Sequence, residues 1–157
     1  MSISKGFTTG VGCRLEAYPK NNNKVLFMGK NVQINDYVHI TAMEHVFIGD
    51  NVLMASKIYI SDCSHGSYSG DSNDSSPYSL PIERPLHSKA VIIEDNVWLG
   101  EFVSVLPGTT IGKGTIVGAN SVVSKSLPSY VIAVGSPAKP IKKYNFETKR
   151  WEKTNNI

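Results

Sequence analysis

Cysteine, net charge and long apolar segments are all scarce in this 157-residue chain. Its two cysteines, Cys13 and Cys63, are too few for a disulfide framework and are not spaced as metal ligands, so we expect reduced thiols. The net charge is only +3, and the basic residues collect near the C-terminus, which argues against a general nucleic-acid-binding surface. The first residues, MSISKGFTTG, contain no apolar signal-peptide core, and no apolar run reaches the roughly 18 residues of a membrane span. We therefore expect a cytoplasmic protein without a membrane span.

An aliphatic residue returns at every sixth position through the second half of the chain: Ile93, Leu99, Val105, Ile111, Val117 and Val123. An amphipathic helix repeats apolar residues at three and four positions and a half-buried strand at two, so this period fits neither. Three such hexads make one turn of a triangular parallel β-helix, which predicts an all-β solenoid. Small or β-branched residues precede each aliphatic by two positions, and we expect both columns to face the core. The second column is Val91, Val97, Val103, Thr109, Thr115 and Ser121.

The same period runs less regularly through the first half of the chain, at Met28, Ile34, Ile40, Ile48, Met54 and Ile60. The step from Ile40 to Ile48 is eight residues, so two extra residues lie near residues 41–45. From Ile60 to Ile93 the step is 33 residues, which predicts an insertion of about 27 residues. The twelve aliphatic positions predict four full coils. We expect an irregular partial coil before them, with three inward-facing residues: Phe7, Val11 and Leu15.

The third residue after each aliphatic should occupy a corner of the solenoid. At half of the repeats it is a residue type that tolerates a positive φ angle: Asn31, Asn51, Asn96, Gly108, Gly114 and Asn120. Four other repeats break this rule, so we expect their corners to be built differently. They carry Tyr37, Met43, Lys57 and Phe102.

The spacing divides the chain into a β-helix domain at residues 1–127, with an inserted loop at 61–90, and a C-terminal extension at 128–157. Within the extension we expect a strand or loop that contacts the cofactor, and the segment ETKRWEK favours a short helix after it. The inserted loop is rich in Ser, Gly, Asp and Pro, and compact domains rarely carry such a loop without a function. Its histidines are His65, near the last strand, and His87, near the return. A loop histidine is by default a surface polar residue, but an imidazole with a pKa near 6.5 is suited to general-base catalysis, and its anchored position favours His65 over His87 for that role.

The hexad pattern, the segment VIIEDNVWLGEFVSVLPGTTIGKGTIVGANSVVSKSLPSYVIAVGSPAK and the loop that begins SDCSHG resemble the hexapeptide-repeat acyltransferases. The resemblance is to the galactoside and maltose acetyltransferases, and especially to the lipopolysaccharide O-acetyltransferases of O-antigen clusters. It extends from Phe7 to Trp151. It implies a left-handed parallel β-helix, a homotrimer with active sites between subunits, acetyl-CoA as co-substrate, a sugar acceptor and no metal. The handedness comes from the resemblance, because the period alone does not set it.

The resemblance also implies roles for three residues. His65 matches the family's histidine base, which removes a proton from the acceptor hydroxyl so that the oxygen attacks the thioester directly. Asn35, in QINDYVHI, matches an asparagine that contacts the acceptor; on position alone it is a corner residue. Glu101, in WLGE, supplies a backbone N–H for the oxyanion.

A groove for CoA is implied along the outer face of the C-terminal coils. Its expected contacts are Trp98, Gly100, Gly118, Ala119, Ser124 and Lys125, with Lys139 and Lys142 on the CoA phosphates. Without the resemblance, these two lysines would be interpreted as a solvated basic tail. Trp98 lies between two inward positions, so it points outward, and its residue type fits either a subunit contact or a ligand wall.

Three alternatives share parts of this pattern. A zinc enzyme of the γ-type carbonic anhydrase kind requires three histidines across a subunit boundary, and the chain has His39, His45, His65 and His87, but without that family's H-x-x-x-x-H pair. A non-catalytic scaffold or ice-binding solenoid requires a flat, uninterrupted threonine face, which the loop would disrupt. An acetyltransferase that modifies a small amino-sugar nucleotide or an antibiotic would have the same fold, so the fold does not decide the acceptor.

Overall fold

The computed structural model describes residues 1–154 and consists almost entirely of short strands. Five successive coils have three strands each, and the first three coils are β1 (Ser2–Ile3), β2 (Thr8–Thr9) and β3 (Arg14–Ala17); β4 (Leu26–Met28), β5 (Gln33–Ile34) and β6 (His39–Ala42); and β7 (Val46–Ile48), β8 (Leu53–Met54) and β9 (Tyr59–Ser61). A hairpin of β10 (Cys63–His65) and β11 (Leu86–Ser88) then interrupts the coils. Coil four is β12 (Val91–Ile93), β13 (Trp98–Leu99) and β14 (Ser104–Val105), and coil five is β15 (Thr110–Ile111), β16 (Ile116–Val117) and β17 (Val122–Val123). The chain continues with β18 (Val131–Val134), β19 (Lys139–Asn145) and β20 (Arg150–Lys153). A single 3-10 turn, Pro81–Glu83, is the only helical element within residues 1–154.

The strands stack in parallel into three walls. Wall one has the order β1-β4-β7-β12-β15, wall two begins β2-β5-β8-β13-β16-β18, and wall three is β3-β6-β9-β14-β17. The register aligns equivalent hexad positions, as in Ile48 beside Ile93 and Ile93 beside Ile111. We call the corner between walls one and two the first edge, that between walls two and three the second edge, and that between walls three and one the third edge.

The two inward columns are confirmed. All twelve aliphatic hexad positions from Met28 to Val123 are at most 3% exposed, and so are the six residues of the second column. Burial of each aliphatic side chain contributes about 1.5–3 kcal/mol. The polar members of the second column are satisfied internally: the Thr109 hydroxyl donates to the Leu106 carbonyl (2.8 Å), and the Thr115 hydroxyl donates to the Pro128 carbonyl (2.7 Å).

The first coil is more complete than the sequence predicts, because it contributes a strand to each wall. Phe7 and Leu15 pack against the core as expected, but the inward placement of Val11 is wrong. Val11 is 64% exposed because it lies at a corner, where its N–H donates to Asp36 Oδ1 (2.9 Å). Cys13 takes the inward position instead.

Positive φ angles are present at all six predicted Asn and Gly corners. The expectation of different corners at Tyr37, Lys57 and Phe102 is wrong, since their φ angles are 56°, 60° and 59°. Each of their amides donates to a carbonyl of the preceding coil, at 2.8–3.2 Å, and this ladder holds a conformation that a side chain ordinarily disfavours. Met43 does differ: it has no positive φ and lies in the widened turn between β6 and β7.

The C-terminal extension contains strands in place of the predicted short helix. β18 pairs with β16, and β19 and β20 add two antiparallel strands to wall two. Trp151 faces Tyr144 across the last pair, with ring centroids 5.2 Å apart. Pairing and aromatic packing therefore outweigh a weak local helix propensity. Within the described part of the chain, no helix has the length and apolar character needed to cross a bilayer.

Candidate active site

The inserted loop leaves the solenoid at the third edge and is anchored there by a two-stranded hairpin. β10 and β11 are antiparallel, with Ser64 opposite His87 and His65 opposite Leu86. Tyr68 closes the turn after β10, because its hydroxyl donates to the His65 carbonyl (2.6 Å). The His65 side chain is exposed and makes no hydrogen bond within residues 1–154. Its imidazole is therefore available to a substrate.

The two loop histidines point to opposite faces of this hairpin, because neighbouring residues of a strand alternate. His87 lies on the face with Ser64, and both line a cavity of about 460 Å³ against the coil residues Leu106, Pro107 and Ser124. His65 lies on the other face with Cys63, Leu86 and Ser88. The preference for His65 over His87 remains a prediction, and the cavity around His87 was not foreseen.

Asn35 and Glu101 both lie on the second edge, on coils two and four. The Asn35 side chain is half-buried and its amide oxygen accepts a long hydrogen bond from Gln33 Nε2 (3.4 Å). Glu101 is exposed, and within residues 1–154 its backbone N–H has no acceptor, whereas the N–H groups of Gly100 and Phe102 bind neighbouring coils. The Glu101 N–H is thus free to bind a ligand.

Most of the predicted CoA contacts lie on the same side. Gly100, Gly118 and Ala119 are on the second edge, and a Cβ at Gly100 would lie 2.7 Å from the Ala119 nitrogen, so close packing alone explains that glycine. Trp98, 48% exposed, lies on the outer face of wall two in register with Leu53 and Ile116. Lys139 and Lys142 are on β19, which extends that wall.

Ser124 and Lys125 are the exception, since they follow β17 and lie on the third edge. The candidate residues therefore form two groups. The third-edge group is His65, Ser124 and Lys125; the second-edge group is Asn35, Gly100, Glu101, Gly118 and Ala119. A single protomer does not bring these groups together, because they occupy different corners of one prism.

A polar cluster on the outer face of wall three was missed by sequence reasoning. Glu16 Oε2 lies 2.8 Å from His39 Nε2 and 3.0 Å from the Thr41 hydroxyl, and Oε1 accepts from Tyr18 (2.7 Å) and Arg14 (2.6 Å). These hydrogen bonds, that from His39 foremost, lower the pKa of Glu16 to about 2. Only the register of β3 against β6 joins residues 23 and 25 positions apart, so no local sequence signal announces the cluster.

No group of three or more His, Cys, Asp or Glu side chains in residues 1–154 is arranged to hold a metal ion. The described histidines are dispersed instead. His39 contacts Glu16, and the ring of His45 packs between Phe27 and Phe47 at centroid distances of 5.2 and 6.4 Å.

Comparison with known proteins assigns the family. The family model described as "Bacterial transferase hexapeptide (six repeats)" matches residues 90–125. The chain is 52% identical over 153 residues to WbbJ of Escherichia coli strain K12, which is named a putative lipopolysaccharide biosynthesis O-acetyl transferase. The alignment covers 98% of this chain and 76% of that protein. The chain belongs to the hexapeptide-repeat acetyltransferases. It spans about half the length of several other acetyltransferases that it matches.

Solved structures of two acyltransferases share the fold. A maltose O-acetyltransferase from Clostridium difficile 630 is 28% identical, with a TM-score of 0.59 over 88% of this chain and 70% of that one. AntD, an N-acyltransferase from Bacillus cereus solved with dTDP-4-amino-4,6-dideoxyglucose and coenzyme A, has a TM-score of 0.62 at 22% identity, covering 94% and 86% of the two chains. The three-walled solenoid is thus the family's left-handed parallel β-helix, an exception to right-handed crossovers.

Proposed function

We propose that this hexapeptide-repeat acetyltransferase transfers the acetyl group of acetyl-CoA to a sugar hydroxyl during the synthesis of lipopolysaccharide, O-antigen or a related polysaccharide. Its 52% identity to WbbJ supports the acceptor class. The similarity to a maltose O-acetyltransferase supports transfer to oxygen, and the coenzyme A in the AntD structure supports the donor.

The observation that carries the mechanism is the exposed, hairpin-anchored imidazole of His65. His65 accepts the proton of the acceptor hydroxyl as the oxygen attacks the thioester carbonyl. The carbonyl oxygen becomes an oxyanion, which accepts a hydrogen bond from the free N–H of Glu101. When the intermediate collapses, the C–S bond breaks and the sulfur leaves with the proton from the imidazolium. No covalent acyl-enzyme forms.

We further propose that the site is shared between protomers of a homotrimer. The base lies on the third edge and the oxyanion donor on the second edge, so the two groups can meet only across a subunit boundary. Threefold association of the prism about an axis parallel to its own, with wall three facing that axis, would bring the third edge of one copy beside the second edge of the next. Asn35 then contacts the acceptor beside the partner's base.

The same arrangement assigns the CoA contacts. Gly100, Gly118 and Ala119 line the second edge where the amide-bearing pantetheine arm lies, while Ser124 and Lys125 approach from the neighbouring copy. The exposed ring of Trp98 forms one side of the CoA groove. Lys139 and Lys142 interact with the CoA phosphates as point charges, and the exposed position of Lys139 suits this role.

An acceptor screen tests the proposal. The intact protein is incubated with acetyl-CoA and a panel of mono- and oligosaccharides, amino-sugar nucleotides and aminoglycosides, and the release of free CoA is followed. We expect turnover with a hydroxyl-bearing saccharide and an O-acetyl product by mass spectrometry. Faster acetylation of an amine would replace this function by the amino-sugar or antibiotic alternative, and no acetyl-CoA turnover with any acceptor would reject it.

A further inference from the structure

Asp62 is the one charged side chain that is fully buried in the described part of the chain. It lies between β9 and β10, three residues before His65, at the point where the inserted loop leaves the solenoid. Burial of a carboxylate is unfavourable unless hydrogen bonds replace its lost hydration. The residues that bind Asp62 therefore show what it is there to hold.

All the side-chain hydrogen bonds of Asp62 come from the widened turn of the preceding coil. The N–H of Met43 donates to Oδ1 (2.9 Å) and Oδ2 (3.1 Å), and those of Glu44 and His45 donate to Oδ2 (both 2.8 Å). Three consecutive backbone donors thus converge on one carboxylate, an anion-binding nest filled by a side chain of the same protein. The two extra residues near 41–45 make this turn possible. Asp62 therefore connects the two-residue insertion near 41–45 to the long inserted loop at 61–90.

The main chain of Asp62 links both strands of the hairpin to the solenoid. Its carbonyl accepts from the Lys89 N–H (2.8 Å), which follows β11, and its own N–H donates weakly to the Thr41 carbonyl (3.4 Å). The neighbouring Ser61 hydroxyl, also buried, bonds the backbone nitrogen (3.2 Å) and oxygen (3.1 Å) of Cys63. Both ends of the loop therefore meet at this point.

His65 depends on this support because its ring has no hydrogen bond of its own within residues 1–154. Its position is set through its backbone, which the pairing of β10 with β11 and the Tyr68 hydroxyl hold, about 10 Å from Asp62 along an extended chain. A small rotation at the base of the hairpin therefore becomes a larger displacement of the imidazole.

We propose that Asp62 is a positioning residue for the base His65, acting through the Met43–His45 turn and the hairpin rather than by contact with substrate. This role rests on the proposed function, in which His65 is the base. Misplacement of a catalytic group by about 1 Å costs on the order of 10²-fold in rate, so loss of the carboxylate should affect turnover far more than cofactor binding.

Asp62→Asn tests the role with almost no change in volume. The asparagine keeps one acceptor oxygen, but its NH2 group would face the Met43 N–H that now donates to Oδ1, and the negative charge that attracts all three N–H groups would be lost, so the nest would weaken. Asp50→Asn is the matched control: Asp50 Oδ1 accepts from the Lys30 N–H (2.7 Å) at the first edge, away from the loop. We expect a kcat roughly 10²-fold lower for Asp62→Asn, with KM for acetyl-CoA within about threefold, and no change in kcat for Asp50→Asn.

Hydrogen exchange supplies a second readout on the same proteins. In Asp62→Asn, the amides of the Met43–His45 turn and of β10 should exchange faster, while those of β12 to β17 stay protected. In Asp50→Asn, faster exchange should be confined to Lys30. Equal kcat for the two variants, or a KM change as large as the kcat change, would overturn the positioning role.

Two further variants keep the outcome decisive. His65→Ala separates this inference from the proposed function: normal turnover of His65→Ala rejects the base itself, whereas an inactive His65→Ala with a fully active Asp62→Asn rejects only the role of Asp62. If Asp62→Asn does not fold, Ser61→Ala decides, because it removes only the bonds to Cys63. A several-fold fall in kcat at constant KM then supports the proposal, and unchanged kcat overturns it.

Discussion

Along the first edge, Asn31, Asn51 and Asn96 stack in successive coils, and their side-chain amides form a ladder at 3.1 and 3.3 Å. Along the third edge the chain departs from the regular coil three times, at residues 18–25, 43–45 and 61–90. At the first edge, the same asparagine corner with a positive φ angle recurs in coils two to four, and the asparagine side chains hydrogen-bond to one another. The third edge breaks the repeat and leaves an imidazole exposed. Under the proposed mechanism, interruption of the hexad, rather than the hexad itself, therefore marks where the base is presented.

The sharpest test of this contrast is His65→Ala. Loss of a general base should lower kcat for acetyl transfer by about 10²–10⁴-fold, while the solenoid and its oligomer stay intact. Steady-state kinetics with size-exclusion chromatography measure both. His87→Ala, on the opposite face of the same hairpin, is the comparison, and it should retain at least tenfold more activity than His65→Ala. The reverse order would transfer the base to His87 and its cavity.

The free energy of unfolding should depend on the stacked coils and little on the inserted loop, the reverse of what is expected for activity. Ile93→Ala removes a fully buried side chain from the stacked coils and should lower the free energy of unfolding by about 2–5 kcal/mol. Tyr78→Ala, in the loop, removes a side chain that is 96% exposed and should change it by less than about 0.5 kcal/mol. Denaturant unfolding measures both. Similar losses for the two variants would mean that the loop contributes to the core.

The next prediction concerns binding of the CoA phosphates by the lysines of β19, at the C-terminal end of wall two. Replacing both Lys139 and Lys142 with alanine should raise KM for acetyl-CoA several-fold, and less for the analogue without the 3′-phosphate, because a charge contact is lost. Lys5 and Lys30, both exposed and on the first edge of coils one and two, at the other end of the solenoid from β19, give a control double variant with the same charge loss. An equal rise for both donors would show that Lys139 and Lys142 act only as surface charges.

The smallest effect concerns the Glu16 cluster on wall three. The folded-state pKa of about 2 lies below the ordinary value of 4.5, so the ionised form stabilises the fold above about pH 4.5. This contribution is lost as the pH falls toward 2. Glu16→Gln should therefore flatten the dependence of unfolding free energy on pH between these values, as measured by urea unfolding. An unchanged slope would show that the hydrogen bonds to Glu16 do not persist in solution.

The sequence predicted the repeated part of the fold well because period six is a local property. Hexad positions such as Ile93 and corner residues such as Asn96 carry their own signal. Val11 was misplaced because the first coil is irregular. The C-terminal segment became a strand because it pairs with β19 in a hairpin that continues wall two, and its own residues carry no strong signal of that pairing. Corners at Tyr37 and Phe102 kept the common geometry because backbone bonds between coils outweigh residue preference.

The candidate site was less accessible to sequence reasoning. Sequence motifs suggest individual candidates such as His65 and Glu101. The edge on which each of them lies is known only once each strand has been assigned to a wall. The division into second-edge and third-edge groups therefore emerges only from the strand order. The nest around Asp62 joins backbone groups 17 to 19 residues away, and no side-chain pattern encodes backbone donors.

Subunit complementation tests the central claim, a site shared between protomers, most directly. Protomers with His65→Ala and protomers with Asn35→Ala, each nearly inactive alone, are denatured, mixed in equal amounts and refolded together. A shared site predicts that about one quarter of the sites regain both an intact His65 and an intact Asn35 from neighbouring copies, with a matching recovery of acetyl transfer. Mixed oligomers that form but stay as inactive as their parents would contradict it.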